Sequence, residues 1–115
     1  MDLGLLATEQ DGVAVVSVTG EVDVSTAPRL RQQLVETATS GHERVVVDLS
    51  AVDFLDSTGL GVLVSGLKRF RTLGGDLLLV CPNARIAKVF EITGLTKVFS
   101  MRSSVEEAVK AANTP

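Results

Sequence analysis

Apolar and polar positions along the 115-residue chain change period several times, and each change marks an element. Leu3 to Thr8 and Val13 to Thr19 have the texture of strands, and Gln10-Asp11-Gly12 between them is a turn sequence, so an antiparallel hairpin is predicted. Over "TGEVDVSTAP" the texture shifts. Gly20 is expected to break the strand, Ser25 or Thr26 to cap a helix, and Pro28 fits only a first turn. Ala27, Leu30, Leu34 and Ala38 recur at helical spacing, with Gly41 as a stop. The run "RVVVDL", Arg44 to Leu49, does not alternate, which predicts a central strand covered on both faces.

That strand is expected to end near Val47 to Ser50 and to feed a short stretch, Ala51 to Leu55, before a helix begins close to Ser57. Leu60, Leu63, Val64, Leu67 and Phe70 fall on one face of this helix, Lys68, Arg69 and Arg71 mark its exposed end, and Gly74-Gly75 terminates it. Leu77 to Cys81 predicts a short buried strand. Asn83 is placed to cap a helix with Ile86, Val89 and Phe90 inside and Gly94 at its end, and Lys97 to Met101 predicts a last strand. Ser103-x-x-Glu106 and Ser104-x-x-Glu107 both fit a capping box ahead of the stripe Val105, Ala108, Val109 and Ala112. The order is ββαβαβαβα, an α/β fold. Strands joined through helices run parallel, so the sheet is mixed, with an antiparallel hairpin at its beginning. No linker or repeat divides residues 1–115, which are expected to form a single domain with a frayed tail from about 113 to 115.

Composition narrows the function. A chain of this length buries roughly 65% of its unfolded surface and needs no staples. It is 45% hydrophobic and 22% charged with neither Trp nor Tyr, an aliphatic globular composition. Fourteen acidic against eleven basic residues give a net charge of −3, and the cations are scattered, which argues against nucleic acid as a partner. There is no basic leader and no apolar run long enough to span a bilayer, so a cytoplasmic protein with no membrane partner is expected. The single cysteine, Cys81, follows an apolar run and is expected to be a buried structural thiol. No long exposed heptad is present, and a monomer is expected.

The stretch "FLDSTGLGVLV", Phe54 to Val64, crowds an acid, two hydroxyls and two glycines between apolar flanks. It occupies a strand-to-helix loop at the carboxyl end of a parallel strand, the usual place for binding and chemistry in such sheets. Unpaired N–H groups and the macrodipole favour negative charge there. A phosphoryl group on Ser57 or Thr58, carrying about −1.5 to −2 charge at pH 7, would leave the helix intact and act on a partner instead. Gly59 and Gly61 would keep the surface low for that partner. The residues alone leave a second reading open, in which Asp56 or Ser57 is only an N-cap and the glycines pack against the sheet.

"VDFLDSTGLGVLV", with "TGEVDVSTAP" upstream and "ITGLTKVF" downstream, resembles the STAS-domain anti-sigma-factor antagonists of bacteria, in order and over essentially the whole chain. The resemblance implies a partner switch in transcription regulation. The unphosphorylated antagonist binds an anti-sigma factor that is also a Ser kinase with a histidine-kinase-like fold, freeing the sigma factor. The kinase phosphorylates the serine after the motif aspartate, here Ser57, with Thr58 as the alternative acceptor, and the phosphoprotein lets go. A metal-dependent Ser/Thr phosphatase resets it. The partner-binding surface implied is Glu21, Asp23, Asp53, Asp56, Thr58, Gly59, Leu60, Gly61 and Val62, with an acidic rim of Asp23, Asp53 and Asp56 and apolar contact around Leu60 and Val62. The alternative is a STAS scaffold or interaction module of a stress-signalling or transport complex.

An enzyme is not expected. His42, the only histidine, lies in the loop "SGHER", and "LDSTG" lacks a nucleophile elbow. No metal-ligand spacing and no Walker-type loop is present, so neither a metal nor a cofactor is predicted.

Overall fold

The computed structural model describes residues 2–114. Its elements are β1 (Leu3–Gln10), β2 (Val13–Val22), α1 (Ala27–Thr39), β3 (Arg44–Leu55), α2 (Ser57–Thr72), β4 (Asp76–Val80), α3 (Ala84–Ile92), a 3₁₀ turn (Leu95–Lys97), β5 (Ser100–Arg102) and α4 (Val105–Ala112). The strands lie in the order β1-β2-β3-β4-β5, with β1 antiparallel to β2 and the other pairs parallel. The predicted ββαβαβαβα order and mixed sheet are present.

This order dictates the layering. The parallel connections all step the same way across the sheet, and a right-handed crossover each time puts α1, α2 and α3 on one face. Leu30, Leu34, Leu63, Leu67, Phe70 and Phe90 accordingly share one core with Val16, Val47 and Leu79. α4 makes no crossover and takes the other face, where Ala108 and Val109 close over Val13, Val15, Val46, Leu78 and Val80. Both faces of β3 are therefore covered over Val45 to Val47, as a non-alternating apolar run requires.

The hairpin closes through Asp11 and Gly12, at φ of 52° and 80°, between the paired Gln10 and Val13. Positive φ at both central residues is the type I′ pattern that suits the strand twist. Asn113, expected in a frayed tail, donates to the Asp11 carbonyl at 3.1 Å and ties the end of α4 to this turn; Pro115 lies outside the described residues.

Several boundaries differ from the sequence expectation. Gly20 does not end β2. At φ +90° it sits in a bulge between register shifts, pressed so close to the Asp2 carbonyl that a Cβ would overlap it, and the strand continues to Val22. That extension gives Phe54 and Leu55 pairing partners in Glu21 and Val22, so β3 runs on to Leu55 instead of stopping near Ser50. The last strand starts later than Lys97. Gly94, at φ +75°, turns the chain into the 3₁₀ turn, and Phe99 drops edge-on against Phe90 with centroids 5.8 Å apart, leaving Ser100 to Arg102 to pair. Of the two possible capping boxes the chain uses Ser104, whose hydroxyl accepts from Glu107 N–H at 3.1 Å.

Candidate functional site

The carboxyl ends of β2 and β3 are neighbours, and their two loops meet where Asp56 N–H donates to the Val22 carbonyl at 3.2 Å. From there β3 turns directly into α2. The Asp56 carboxylate accepts from Thr58 N–H at 2.9 Å and Gly59 N–H at 3.1 Å, so Asp56 is the N-cap. Ser57 is the first helical residue. It is exposed, and its hydroxyl is left out of the cap.

The loop after β2 is built by Asp23. Its carboxylate accepts from Ser25 Oγ at 2.6 Å and from the backbone N–H groups of Ser25 and Thr26. Thr26 holds the N-cap position of α1 without capping it, because its hydroxyl donates to the Glu21 carbonyl at 2.8 Å and accepts from Asp23 N–H. The Ser25 hydroxyl above all, with the backbone donors, holds the Asp23 carboxyl below its ordinary value of 3.8. A depressed folded-state pKa means that unfolding takes up a proton as pH falls. The stabilisation is therefore present above pH 3.8 and lost below it, through the folded value. In thermal melts the gap between the wild type and Asp23→Asn should narrow on going from about pH 6 to about pH 2. A gap that stays constant overturns this account of the turn.

The expected contact residues divide between surface and core. Asp53 and Thr58 are exposed, Asp56, Asp23 and Glu21 are half-buried, and Gly61 is exposed. Asp56 and Asp23 each hold local backbone as well as carrying charge. Glu21 lies beside Phe54 across the strand pair, with one carboxylate oxygen buried and unpartnered among the described residues. Leu60 and Val62 are 7% and 9% exposed and face the core, and Gly59 is buried, its missing Cβ filled by Leu55 and Val22. The apolar contact expected of Leu60 and Val62 is not at the surface, and of the two glycines only Gly61 lowers the helix surface.

Exposed apolar area at this end comes from residues that the sequence did not single out. Val24, at the tip of the Asp23 turn, is 74% exposed, and Phe54, two residues before the N-cap, is 47% exposed. Val24 carries a legible signal, an apolar residue framed by Asp23 and Ser25 in a loop. Phe54 does not, because β3 loses strict alternation over Val52 to Leu55.

Arg85 at the start of α3 donates to the Asp53 carbonyl at 3.1 Å, and Asn83 to the Val52 carbonyl, so the end of β3 is also held by the start of α3. No group of three or more His, Cys, Asp or Glu is placed to hold a metal among the described residues, and no described helix is long and apolar enough to cross a membrane. Cys81 is only half-buried, and that burial pushes its thiol pKa up.

Fold and site together define an α/β domain that presents, at one end, a free hydroxyl, two exposed apolar side chains and a rim of acids. The chain belongs to the STAS domain family, whose pattern it matches over residues 5–108. It is 36% identical to the anti-sigma-B factor antagonist of Staphylococcus aureus strain NCTC 8325, over 92% of this chain and 98% of that one. With the anti-sigma-B factor antagonist of Bacillus subtilis strain 168 it shares 34% identity, over 96% and 100% of the two chains. Among solved structures, an anti-sigma factor antagonist from Mycobacterium paratuberculosis superposes with a TM-score of 0.88 at 33% identity, covering 98% of this chain and 96% of that one.

Proposed function

We propose that the chain is an anti-sigma factor antagonist whose grip on its partner is switched by phosphorylation of Ser57. The observation that carries this reading is the division of labour at the start of α2: Asp56 makes the cap, and the neighbouring Ser57 hydroxyl stands exposed on rigid backbone. The likeness to the two anti-sigma-B factor antagonists supports the partner class.

In the unmodified state the β2 and β3 ends dock on a kinase-type anti-sigma factor and displace its sigma factor. Val24 and Phe54 supply apolar contact, and Glu21, Asp23 and Asp53 supply charge that speeds encounter and excludes wrong partners. The kinase brings ATP, Mg²⁺ and a base, because positioning and charge neutralisation dominate phosphoryl transfer. The Ser57 oxygen attacks the γ-phosphorus, the bond from that phosphorus to the β,γ-bridging oxygen breaks, ADP leaves, and the hydroxyl proton passes to the kinase base. The new dianion sits at a helix N-terminus that tolerates it, within an acidic rim that the partner's basic surface had matched. The complex then dissociates. A metal-dependent Ser/Thr phosphatase restores the hydroxyl by delivering water to phosphorus and releasing inorganic phosphate.

The test is incubation with the kinase-type anti-sigma factors of the source organism and ATP, following intact mass and complex formation together. One phosphate on Ser57 with loss of the complex is the expected result. Phosphate on Thr58 instead would move the acceptor, and binding indifferent to ATP would favour a STAS scaffold.

A further inference from the structure

The helical face carries a second feature that the switch does not use. Between α1 and α2 runs a groove of about 480 Å³ lined by Ala38, Ser65, Lys68, Arg69, Thr72 and Leu73, among others. It closes into a neck of about 10 Å³, room for one water at most, past Arg31, Val35 and Val62, with Ser65 and Arg69 lining both sections. On α2 the positions Val62, Ser65, Arg69 and Thr72 continue the helical spacing that starts at Thr58, so the neck begins one turn beyond the residue next to the proposed acceptor. From Ser65 to Thr72, where the groove is open, the helix rises about 10 Å, the length of two turns.

The charge of this groove opposes that of the rest of the molecule. The chain carries a net charge of −3, yet Arg31, Lys68 and Arg69 line the groove and neck, and no carboxylate does. None of the three is in an ion pair among the described residues, whereas Arg71 on the same helix pairs with Asp76 at 3.4 Å. The α2 macrodipole favours cations in the last turns and accounts to some extent for Lys68 and Arg69, but Arg31 lies in the interior of α1, where it has no such role. Apolar lining comes from half-buried Val35 in the neck and from half-buried Ala38 and the 47%-exposed Leu73 in the groove. Apolar lining, unpaired cations and a two-turn length match one kind of occupant.

We propose that this groove docks an acidic amphipathic helix belonging to the protein that meets the Ser57 end. That the helix is the anti-sigma factor's rests on the function proposed above; that the groove takes an acidic helix does not. Docking is then bipartite, acids to a basic patch at Ser57 and cations to an acidic helix along the groove. Phosphorylation disrupts the first contact and leaves the second to hold residual affinity.

The probe is a synthetic peptide of about fifteen residues, with leucine at every third or fourth position and glutamate between. Titrated into ¹⁵N-labelled protein at low salt, it should shift the amides of Ala38, Ser65, Arg69 and Thr72. Affinity should fall at least about tenfold for the Lys68→Glu, Arg69→Glu double variant and for a glutamine version of the peptide, and should weaken as salt is raised. Shifts elsewhere, equal affinity for the double variant or for a scrambled peptide of the same charge, or tighter binding to phosphatidylglycerol vesicles than to the peptide would each overturn the proposal. With the anti-sigma factor itself the two ideas separate. A complex indifferent to Ser57→Asp removes the antagonist switch, and one indifferent to the double variant removes this factor's helix from the groove.

Discussion

Ser57→Asp is expected to weaken binding to the kinase-type anti-sigma factor by about 100-fold while making the domain slightly more stable. The opposite signs follow from one position. At the first residue of α2 a carboxylate meets the positive end of the macrodipole, worth about 0.3–1 kcal/mol. For a domain of this size that raises Tm by roughly 1–4 °C. The same carboxylate stands beside Asp56, at the end of the sheet that carries Asp53 and Asp23, on the surface proposed to dock the partner. A further negative charge in a docked interface costs several kcal/mol, and about 2.7 kcal/mol is 100-fold. Titration calorimetry against the anti-sigma factor and a thermal melt of the same sample measure both. Ser57→Ala should bind as the wild type does and survive ATP. Unchanged affinity for Ser57→Asp, or a melt lowered by several degrees, would contradict the placement of this hydroxyl.

The sign of that melt also separates a switch acting on the partner from one acting on the fold. Asp56 already holds Thr58 and Gly59, so the helix start needs nothing from Ser57, and modification removes no interaction that the domain uses. Asp23 has the corresponding role in the adjacent loop, where Ser25 and Thr26 are tied to its carboxylate. Two aspartates keep two neighbouring loops in shape, and the residues between and beside them remain open to a partner.

Periodicity revealed most of this architecture and little of its finishing. The helical stripes of α1 and α2 and the apolar run of β3 are local patterns, and local patterns survive into the fold. The length of β3 is not local, since Phe54 and Leu55 are in a strand because the bulge at Gly20 lets β2 reach them. Which apolar residues stay outside is not local either. Leu60 and Val62 sit in the recognisable motif and yet fall inside, whereas Val24 and Phe54 carry the exposed area. The cap of α1 failed to be legible for a related reason: Ser25 and Thr26 have the right chemistry, but the Asp23 carboxylate takes the Ser25 hydroxyl and the Glu21 carbonyl takes that of Thr26. A motif points to the proposed acceptor serine; the surface around it is composed in three dimensions.

The two glycines of the motif look alike in sequence and should behave oppositely. A Cβ on Gly59 would stand 2.5 Å from Leu55 Cδ1 and 2.7 Å from Val22 Cγ1, two buried side chains at the ends of paired strands. Gly59→Val is therefore expected to destabilise the domain by about 3 kcal/mol, a fall in Tm of roughly 12 °C, and to shift the turn that presents Ser57. At Gly61 a Cβ meets nothing within 4 Å, and the position is within the helix and exposed. Alanine there should gain about 0.5–1 kcal/mol of helix stability, so the fold has no use for this glycine. On the function proposed above, its use is to a docked protein that lies flat against the helix. Gly61→Ala should accordingly melt a few degrees higher and bind the anti-sigma factor about tenfold more weakly, and Gly61→Leu more weakly still. Binding undiminished by either side chain would show that the partner passes clear of α2, and the docking surface would then have to be sought around Val24 and Phe54 alone.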